Sequence, residues 1–511
     1  MAQTFESRTE SFLKWFQSLP GATFHPHIQI QDLRESNRGR GIVATADIPE
    51  DTVLFTIPRD AIINTITSDL PKRIPQIFEA STTGLEDADN EADEDGDTTG
   101  PPDSWASLIL VMIYEFLQDG NSRWKPYIDV LPTEFDTLMF WSDKELEELQ
   151  ASAIISKIGK DEADNMFRAK VIPTIQEHAD VFYPASAQRL TEDQLMALAH
   201  RMGSTIMAYA FDLENDDEEP NPEEEDDEWM EDKDGKLMMG MVPMADILNA
   251  DAEFNAHINH EEGSLTATSL RPIAAGEEVY NYYGPLSNGD LLRRYGYVTE
   301  KHMRYDVVEL PWEIILSVLK EQLRLSENVW GKAINDLDEE EIEDVFVLDR
   351  DMDGPDSRGE PQGEKYFKQL PADLEEQIAT FLRAVRKASP ASIPDKRKRD
   401  EISLAAVHRA LQLRRAQYPT TEAQDFQVVT ESVERLNMAL ASQKSLTHPL
   451  RPDNIQDIIR SSHRRRLAAI VRVGEKNVLN EAMEFAEKKM SELNGSANAA
   501  EPSAKRKKTS R

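Results

Sequence analysis

Five tyrosines, Tyr280, Tyr282, Tyr283, Tyr295 and Tyr297, fall within eighteen residues of AAGEEVYNYYGPLSNGDLLRRYGYV. A phenol hydroxyl can donate to or accept from a reacting amine, and its ring face attracts a cation. Upstream stands MVPMADILNADAEFNAHI, with Asp246, Asn249 and Ala250 in sequence order. The Asn249 amide both donates and accepts, which suits the edge of a base. A third cluster, Arg38-Gly39-Arg40-Gly41, precedes a strand-like run, and its glycines let main chain approach a ligand closely. Each cluster also has a plainer reading. The tyrosines could be cross-strand packing on a sheet edge, the Asn and Asp a turn, and the glycines a simple bend. Taken together, the clusters describe a narrow pocket lined by aromatic hydroxyls.

Composition limits the chemistry. The chain has 511 residues, enough for two or three domains, and 40% are apolar. It contains no cysteine, which excludes disulfides, thiolate nucleophiles and Cys-based zinc sites. The ten histidines show no metal-ligand spacing, so no metal is expected. Apolar runs are too short for a membrane span, and the first residues lack the pattern of a secretion signal. The net charge is −38. Residues 86–97 and 212–234 carry much of it, as two acidic loops that should stay solvated. So acidic a body would not grip a nucleic-acid backbone directly, but it would attract basic protein partners.

Elements that could hold the clusters follow from periodicity. Residues 3–19 read as an amphipathic helix. From 28 to 63 the pattern is strand-like (IVATADI, VLFTIP, AIIN), and Pro49 with Glu50-Asp51 reads as a hairpin turn. WASLILVMIYEFLQ and the run 190–211 are expected helices, with an irregular WKPYIDVLP between them. Ser142 and Glu145 have capping-box spacing. LTATSLRPI and EEVYNYYG read as strands, and from Pro311 the spacing is helical almost to the end. Lys396–Arg399 fits an exposed helix start. SAKRKKTSR fits either a nuclear-import signal or a solubilising tail.

In order, NRGRGIVA, MADILN, VYNYYG and YGYV resemble the motifs of SET-domain protein-lysine methyltransferases. WKPYIDVLPTEFDTLMFWSDKELEEL and VRVGEKNVLNEAM resemble the Rubisco large-subunit methyltransferase class within that family. The acidic loop before VPMADILN and the following FNAHI place the resemblance in the SET domain-containing protein 6 and fungal ribosomal lysine N-methyltransferase 4 group. The implied fold is α+β: a β-rich SET domain with pseudoknot and a helical insertion, followed by an all-α C-terminal substrate-binding domain. The expected bounds are an N-terminal helix at 1–22, the SET domain at 23–284 with its insertion about 64–240, a connection at 285–310, the helical domain at 311–492 and a disordered basic tail at 493–511.

The resemblance also implies roles. S-adenosyl-L-methionine would lie along the main chain of Arg38, Gly39 and Arg40, with Tyr209 near its amino-acid end. Asn249 and Ala250 match the pair that meets adenine, although Ala250 stands where the family has histidine. Tyr283 would be the catalytic tyrosine and Tyr295 the second pocket tyrosine, both also near the cofactor. Carbonyls of Ala208 and Asp246 would hold the substrate ammonium. The implied reaction is methyl transfer to a neutral lysine amine, with burial and a nearby sulfonium lowering an amine pKa that is ordinarily about 10.4. The implied partner is a basic protein, in this group a large-subunit ribosomal protein that is monomethylated. The protein is expected to be a monomer, nuclear and also cytoplasmic. Two rivals remain: histidine methylation on the same architecture, and a non-catalytic acidic chaperone for basic proteins, which Ala250 keeps open.

Overall fold

The computed structural model describes residues 4–499 apart from 35–37, 79–103, 186, 214–237, 338–341, 351, 353, 364–365, 422 and 433–451. The acidic loop at 86–97, most of the second one and the basic tail from 500 lie outside the described residues.

The first helix, Phe5–Ser18, starts where Thr4 accepts from the Ser7 amide. Phe12 and Phe16, one turn apart, are fully buried and anchor the helix to the β-rich core. The strands follow in chain order: β1 Thr23–Phe24, β2 Ile28–Asp32, β3 Arg40–Ala44, β4 Val53–Pro58, β5 Ala210–Leu213, β6 Met238–Met241, β7 Asn249–Ala250, β8 Ala256–His260, β9 Ser264–Ser269, β10 Glu278–Asn281, β11 Val308–Pro311 and β12 Val345–Leu348. Two four-stranded sheets result, ordered β1-β4-β9-β8 and β2-β3-β10-β7.

This topology corrects the expected hairpin at Pro49–Asp51. A turn is present, with Asp51 at φ 57°, but β3 and β4 lie in different sheets. Both strands are largely buried, and each lies between one local and one distant partner, β3 between β2 and β10 and β4 between β1 and β9. AIIN is likewise no strand: Arg59–Ala61 forms a single 3-10 turn and Ile63 makes one bridge to Met241.

The insertion is helical. Ser104–Gln118 is buried along most of its length. Glu192–Tyr209 begins with a Thr191–Gln194 capping box and packs against it. Ser142 and Glu145 form their expected box, but the helix it opens, Asp143–Leu146, is a single turn that tightens into a 3-10 turn at Glu147–Leu149. Residues 212 and 213, read as the start of a loop, belong instead to β5, which pairs antiparallel with β6. The second acidic segment therefore bridges a hairpin.

The C-terminal region is helical, with Trp312–Leu323, Ala372–Ala388, Lys396–Ala416 and the 48-residue Pro452–Ala499. It adds one feature that its helical periodicity did not show: β11 and β12 pair as a two-stranded sheet. Leu310, Phe346 and Leu348 on that pair are fully buried against the helices, so four-residue strands survive where tertiary packing rewards them. The helix expected to stop at 492 runs on to Ala499, through Asn494-Gly495, residues that ordinarily end a helix.

The two regions are clasped together by charge as well as by apolar contact. Arg464 reaches Asp136 at 3.1 Å and Glu145 at 2.9 Å. Leu467, Ala468 and Val471 close an apolar cluster with Leu138, Trp141 and Leu292.

Candidate active site

The site forms where β3, β7 and β10 lie side by side. Strand β7 pairs parallel with β10, Asn249 beside Tyr280 and Ala250 beside Asn281. This pairing brings the Asn249 cluster and the tyrosine cluster together. Glu278 on β10 is the polar hub. Its Oε1 accepts from Asn249 Nδ2 at 2.7 Å, and its Oε2 takes the Arg38 guanidinium at 2.5 Å and the Tyr280 hydroxyl at 2.9 Å. Asn249 Nδ2 also donates to the Arg40 carbonyl at 3.1 Å. Gly41 permits this crowding: a Cβ there would fall 2.7 Å from Glu278 Oε1 and 2.9 Å from Asn249 Nδ2. Gly39, at φ 63°, turns the chain in the left-handed region so that its carbonyl accepts from the Leu33 amide. Fully buried Asn255 fastens the same strand, donating to the Glu278 carbonyl at 2.9 Å and accepting from the Tyr280 amide at 2.8 Å.

A cavity of about 480 Å³ opens beside this hub. Arg38, Gly39, Arg40, Tyr209, Asp246 and Asn249 all line it. The first helix completes the wall with Phe5 and Arg8, which the sequence reading had kept apart as a separate N-terminal element. Arg40 points away from β3 toward that helix. It donates to Thr9 Oγ1 at 2.8 Å and to the Val130 carbonyl at 2.8 Å, and lies 3.8 Å over the Phe5 ring. Burial, with Arg8 adjacent, lowers its pKa to about 10.

At the inner end stands Asp246, on the turn Ala245–Ile247. Met244 sets up that turn with φ 82°, an unusual backbone for a side chain larger than glycine. Asp246 Oδ2 accepts from the Tyr127 hydroxyl at 2.6 Å. Burial raises its pKa to about 7 against the lowering effect of that bond. Tyr209 is raised to about 12 by burial and then by the Asp246 charge.

The tyrosines divide, and only Tyr280 lies on β10, which ends at Asn281. Tyr280 joins the Glu278 hub, and Tyr282 stacks on Phe254 with centroids 4.5 Å apart. Neither enters the pocket that all five were expected to share. Tyr283 turns to the other side, donates to the Leu248 carbonyl at 3.1 Å and stacks on Tyr295 at 4.7 Å. Tyr297 follows at 6.1 Å from Tyr295. Burial holds all three phenols above their ordinary pKa, Tyr295 at about 12. They stay protonated near neutrality, and Tyr283 acts as a hydrogen-bond donor. The Tyr297 hydroxyl is buried without a hydrogen-bond partner.

Tyr283 and Tyr295 thus adjoin the cavity but do not line it, and Leu248, between Ile247 and Asn249, links the two groups. Ala208 and Ala250 are buried, and neither lines the cavity. Tyr127, Glu278 and Asn255 escaped the sequence reading. Tyr297 stood in the tyrosine cluster there but had no role of its own. Tyr127 looked like part of an irregular Pro-bounded segment.

Comparison with known proteins agrees with this geometry. Residues 39–284 match the SET domain and residues 364–479 the Rubisco LSMT substrate-binding domain. The chain is thus similar, over these two stretches, to SET-domain proteins that carry this second domain. It is 34% identical over 339 residues to ribosomal lysine N-methyltransferase 4 of Saccharomyces cerevisiae, covering 65% of this chain and 63% of that protein. It is 30% identical over 291 residues to N-lysine methyltransferase setd6 of Xenopus laevis, covering 56% of each. The chain therefore spans less than two thirds of the length of either relative. Among solved structures, the SET domain of LSMT bound to lysine and AdoHcy superposes with a TM-score of 0.60 at 19% identity, over 96% of this chain and 94% of that one. Rubisco LSMT bound to AdoMet gives 0.57 at 20% identity, over 96% and 93%. These two likenesses establish the shared fold.

Proposed function

We propose that the protein is an S-adenosylmethionine-dependent protein-lysine N-methyltransferase. The observation that carries this reading is the cavity of about 480 Å³ lined together by Arg38, Gly39, Arg40, Tyr209, Asp246 and Asn249, with the Tyr283–Tyr295 pair adjoining it. The cavity is of a size that takes a nucleoside-bearing cofactor. Its wall offers main chain at Gly39, an amide at Asn249 and the residue Asp246, and these fit a zwitterionic ligand that also carries a base.

When bound, the cofactor supplies an electrophilic methyl group on a positively charged sulfur. The protein's part is positional. Tyr283, held by the Leu248 carbonyl and braced by Tyr295, fixes one wall where an amine enters. The aromatic surround excludes water, and this favours a neutral amine over an ammonium. Holding two reactants in line within such a space supplies much of the rate.

The S. cerevisiae relative's name supports a ribosomal substrate methylated on lysine, and the finer reading is a large-subunit ribosomal protein that is monomethylated. The chain's net charge of −38 suits a basic partner. The basic tail Lys505–Lys508 supports nuclear entry of the enzyme. Incubation with methyl-labelled S-adenosylmethionine and purified ribosomal proteins tests the reading. Label on one lysine of one large-subunit protein is the expected result. Label on histidine, or none on any basic protein, would overturn it.

A further inference from the structure

The stretch from Asp129 to Phe140 contains one short turn, Leu138–Phe140, and no strand. Its carbonyls therefore need donors from other parts of the chain, and four arginines from four elements supply them. Arg8 on the first helix donates to the Asp129 carbonyl at 3.3 Å, and Arg40 on β3 to Val130 at 2.8 Å. Arg201 on the helix Glu192–Tyr209 donates to Pro132 at 3.2 Å, and Arg464 on the long C-terminal helix to Phe140 at 3.1 Å. The first three hold the end at which Val130 to Glu134 line the cavity. Buried Arg464 holds the other end, and its Nε also donates to Asp136 Oδ1 at 3.1 Å. The main chain of Asp136 in turn packs against the tyrosine turn. Gly296, between Tyr295 and Tyr297, has φ 78°, and a Cβ there would fall 3.0 Å from the Asp136 carbonyl carbon and 3.1 Å from the Thr137 nitrogen. No side chain cushions the two backbones. The Asp136 carbonyl is itself fixed by Trp141 Nε1 at 2.8 Å.

We propose that Arg464 is a positioning residue for methyl transfer. Through Asp136 it seats Gly296, and with it the Tyr283–Tyr295 stack, while the same stretch of chain carries the cavity wall at Val130–Glu134. The proposal rests on the methyltransferase reading. Arg464 lies within the residues that match the Rubisco LSMT substrate-binding domain, so the contact ties that region to the geometry of the reacting centre. A guanidinium suits the task, because its rigid fork grips a carboxylate and a carbonyl in fixed directions. Without it, Asp136 is drawn toward solvent and the peptide beneath Gly296 loses its anchor. A shift of about 1 Å at a reacting centre is enough to cost a large part of the rate. The neighbouring Arg465 separates this role from simple clasping. It also joins the long helix to the insertion, donating to Glu148 at 3.0 Å, but Glu148 lies past the stretch, on the turn Glu147–Leu149.

Arg464→Gln, Asp136→Asn and Arg465→Gln in the full chain test this. Three measurements are made on each: label transfer to the ribosomal protein that takes label from wild type, calorimetric titration with S-adenosylhomocysteine, and amide hydrogen exchange. Arg464→Gln lowers kcat by about tenfold or more and weakens S-adenosylhomocysteine binding several-fold, with KM for the protein substrate unchanged. Exchange quickens in peptides covering 131–141 and 293–300. Asp136→Asn, at a partly exposed side chain, shows the same pattern less strongly, and it carries the test if Arg464→Gln does not fold. Because the two residues act through one contact, their losses in the double variant are less than additive. Arg465→Gln lowers the urea midpoint and leaves kcat, cofactor affinity and exchange in both peptides as in wild type. A raised KM with normal kcat in Arg464→Gln would reduce it to a structural clasp and overturn the proposal. An equal loss of kcat in Arg465→Gln, or unchanged exchange at 293–300 in Arg464→Gln, would do the same. A wild type that labels no basic protein, while Arg464→Gln loosens both peptides as stated, would instead sink the methyltransferase reading alone.

Discussion

Tyr283 and Tyr295 stack with ring centroids 4.7 Å apart and planes 19° from parallel, although twelve positions of chain separate them. The stack holds because Gly284, at φ 93°, lets the chain leave β10 sharply. The helix Asn288–Tyr295, capped by Ser287, then returns Tyr295 to its partner. One tyrosine is thus hydrogen-bonded to the floor at Leu248 and the other braces it from the side.

Replacing Tyr283 by Phe removes that hydrogen bond and keeps the stack. Methyl transfer should fall by about a hundredfold or more, while S-adenosylhomocysteine binding changes little. Single-turnover rates and calorimetry measure the two effects separately. Undiminished turnover would remove Tyr283 from the mechanism.

Glu278 holds three partners from three parts of the chain, so Glu278→Ala removes the charged acceptor of Arg38 and one of the two acceptors of Asn249. The expected cost is about 1.5–3 kcal/mol of folding stability, read by denaturant unfolding. Cofactor affinity should drop with it, because Asn249 lines the cavity. An unchanged affinity would show that the hub serves stability alone.

Gly474 lies on the long C-terminal helix against Asp306, and a Cβ there would sit 1.8 Å from Asp306 Oδ2. Gly474→Ala should lower stability by about 1–3 kcal/mol or more through overpacking, despite alanine's better helix propensity. A melting temperature equal to or above wild type would show that the two regions can separate here without loss.

The same junction makes stability depend on pH. Burial raises the Asp306 and Glu475 carboxyls to about 7 each, from ordinary values near 4. A folded-state acid that holds its proton more tightly than the unfolded chain stabilises the fold below the unfolded pKa. That contribution is lost as pH rises from about 4 to 7, with no further change above. Glu475→Gln keeps partners for Ser152 and Tyr418 and should flatten this fall by roughly 3 kcal/mol. Urea midpoints at pH 5 and pH 8 for both proteins check the sign. A wild type more stable at pH 8 would reverse it.

Much of the site was legible in the sequence because its residues are unusual for their surroundings. Arg38, Gly39, Arg40, Asn249 and the tyrosines stood out by type and order, and the resemblance joined them. The helices Ser104–Gln118 and Glu192–Tyr209 were legible because helix signals are local: apolar spacing and caps. Strand partners were not, since pairing is decided between segments far apart in the chain. So β3 and β4 looked like a hairpin, and instead belong to different sheets.

The sequence by itself determined the residue types available for chemistry, the absence of any thiol and the helical character of the second half. Only the tertiary structure decided which residues share the cavity. It split the tyrosines between the Glu278 hub, the Phe254 stack and the Tyr283–Tyr295 pair, carried Phe5 and Arg8 into the wall, and set Asp246 beside Tyr127. Burial and charge neighbourhood are properties of contacts made across hundreds of residues, and no local pattern records them.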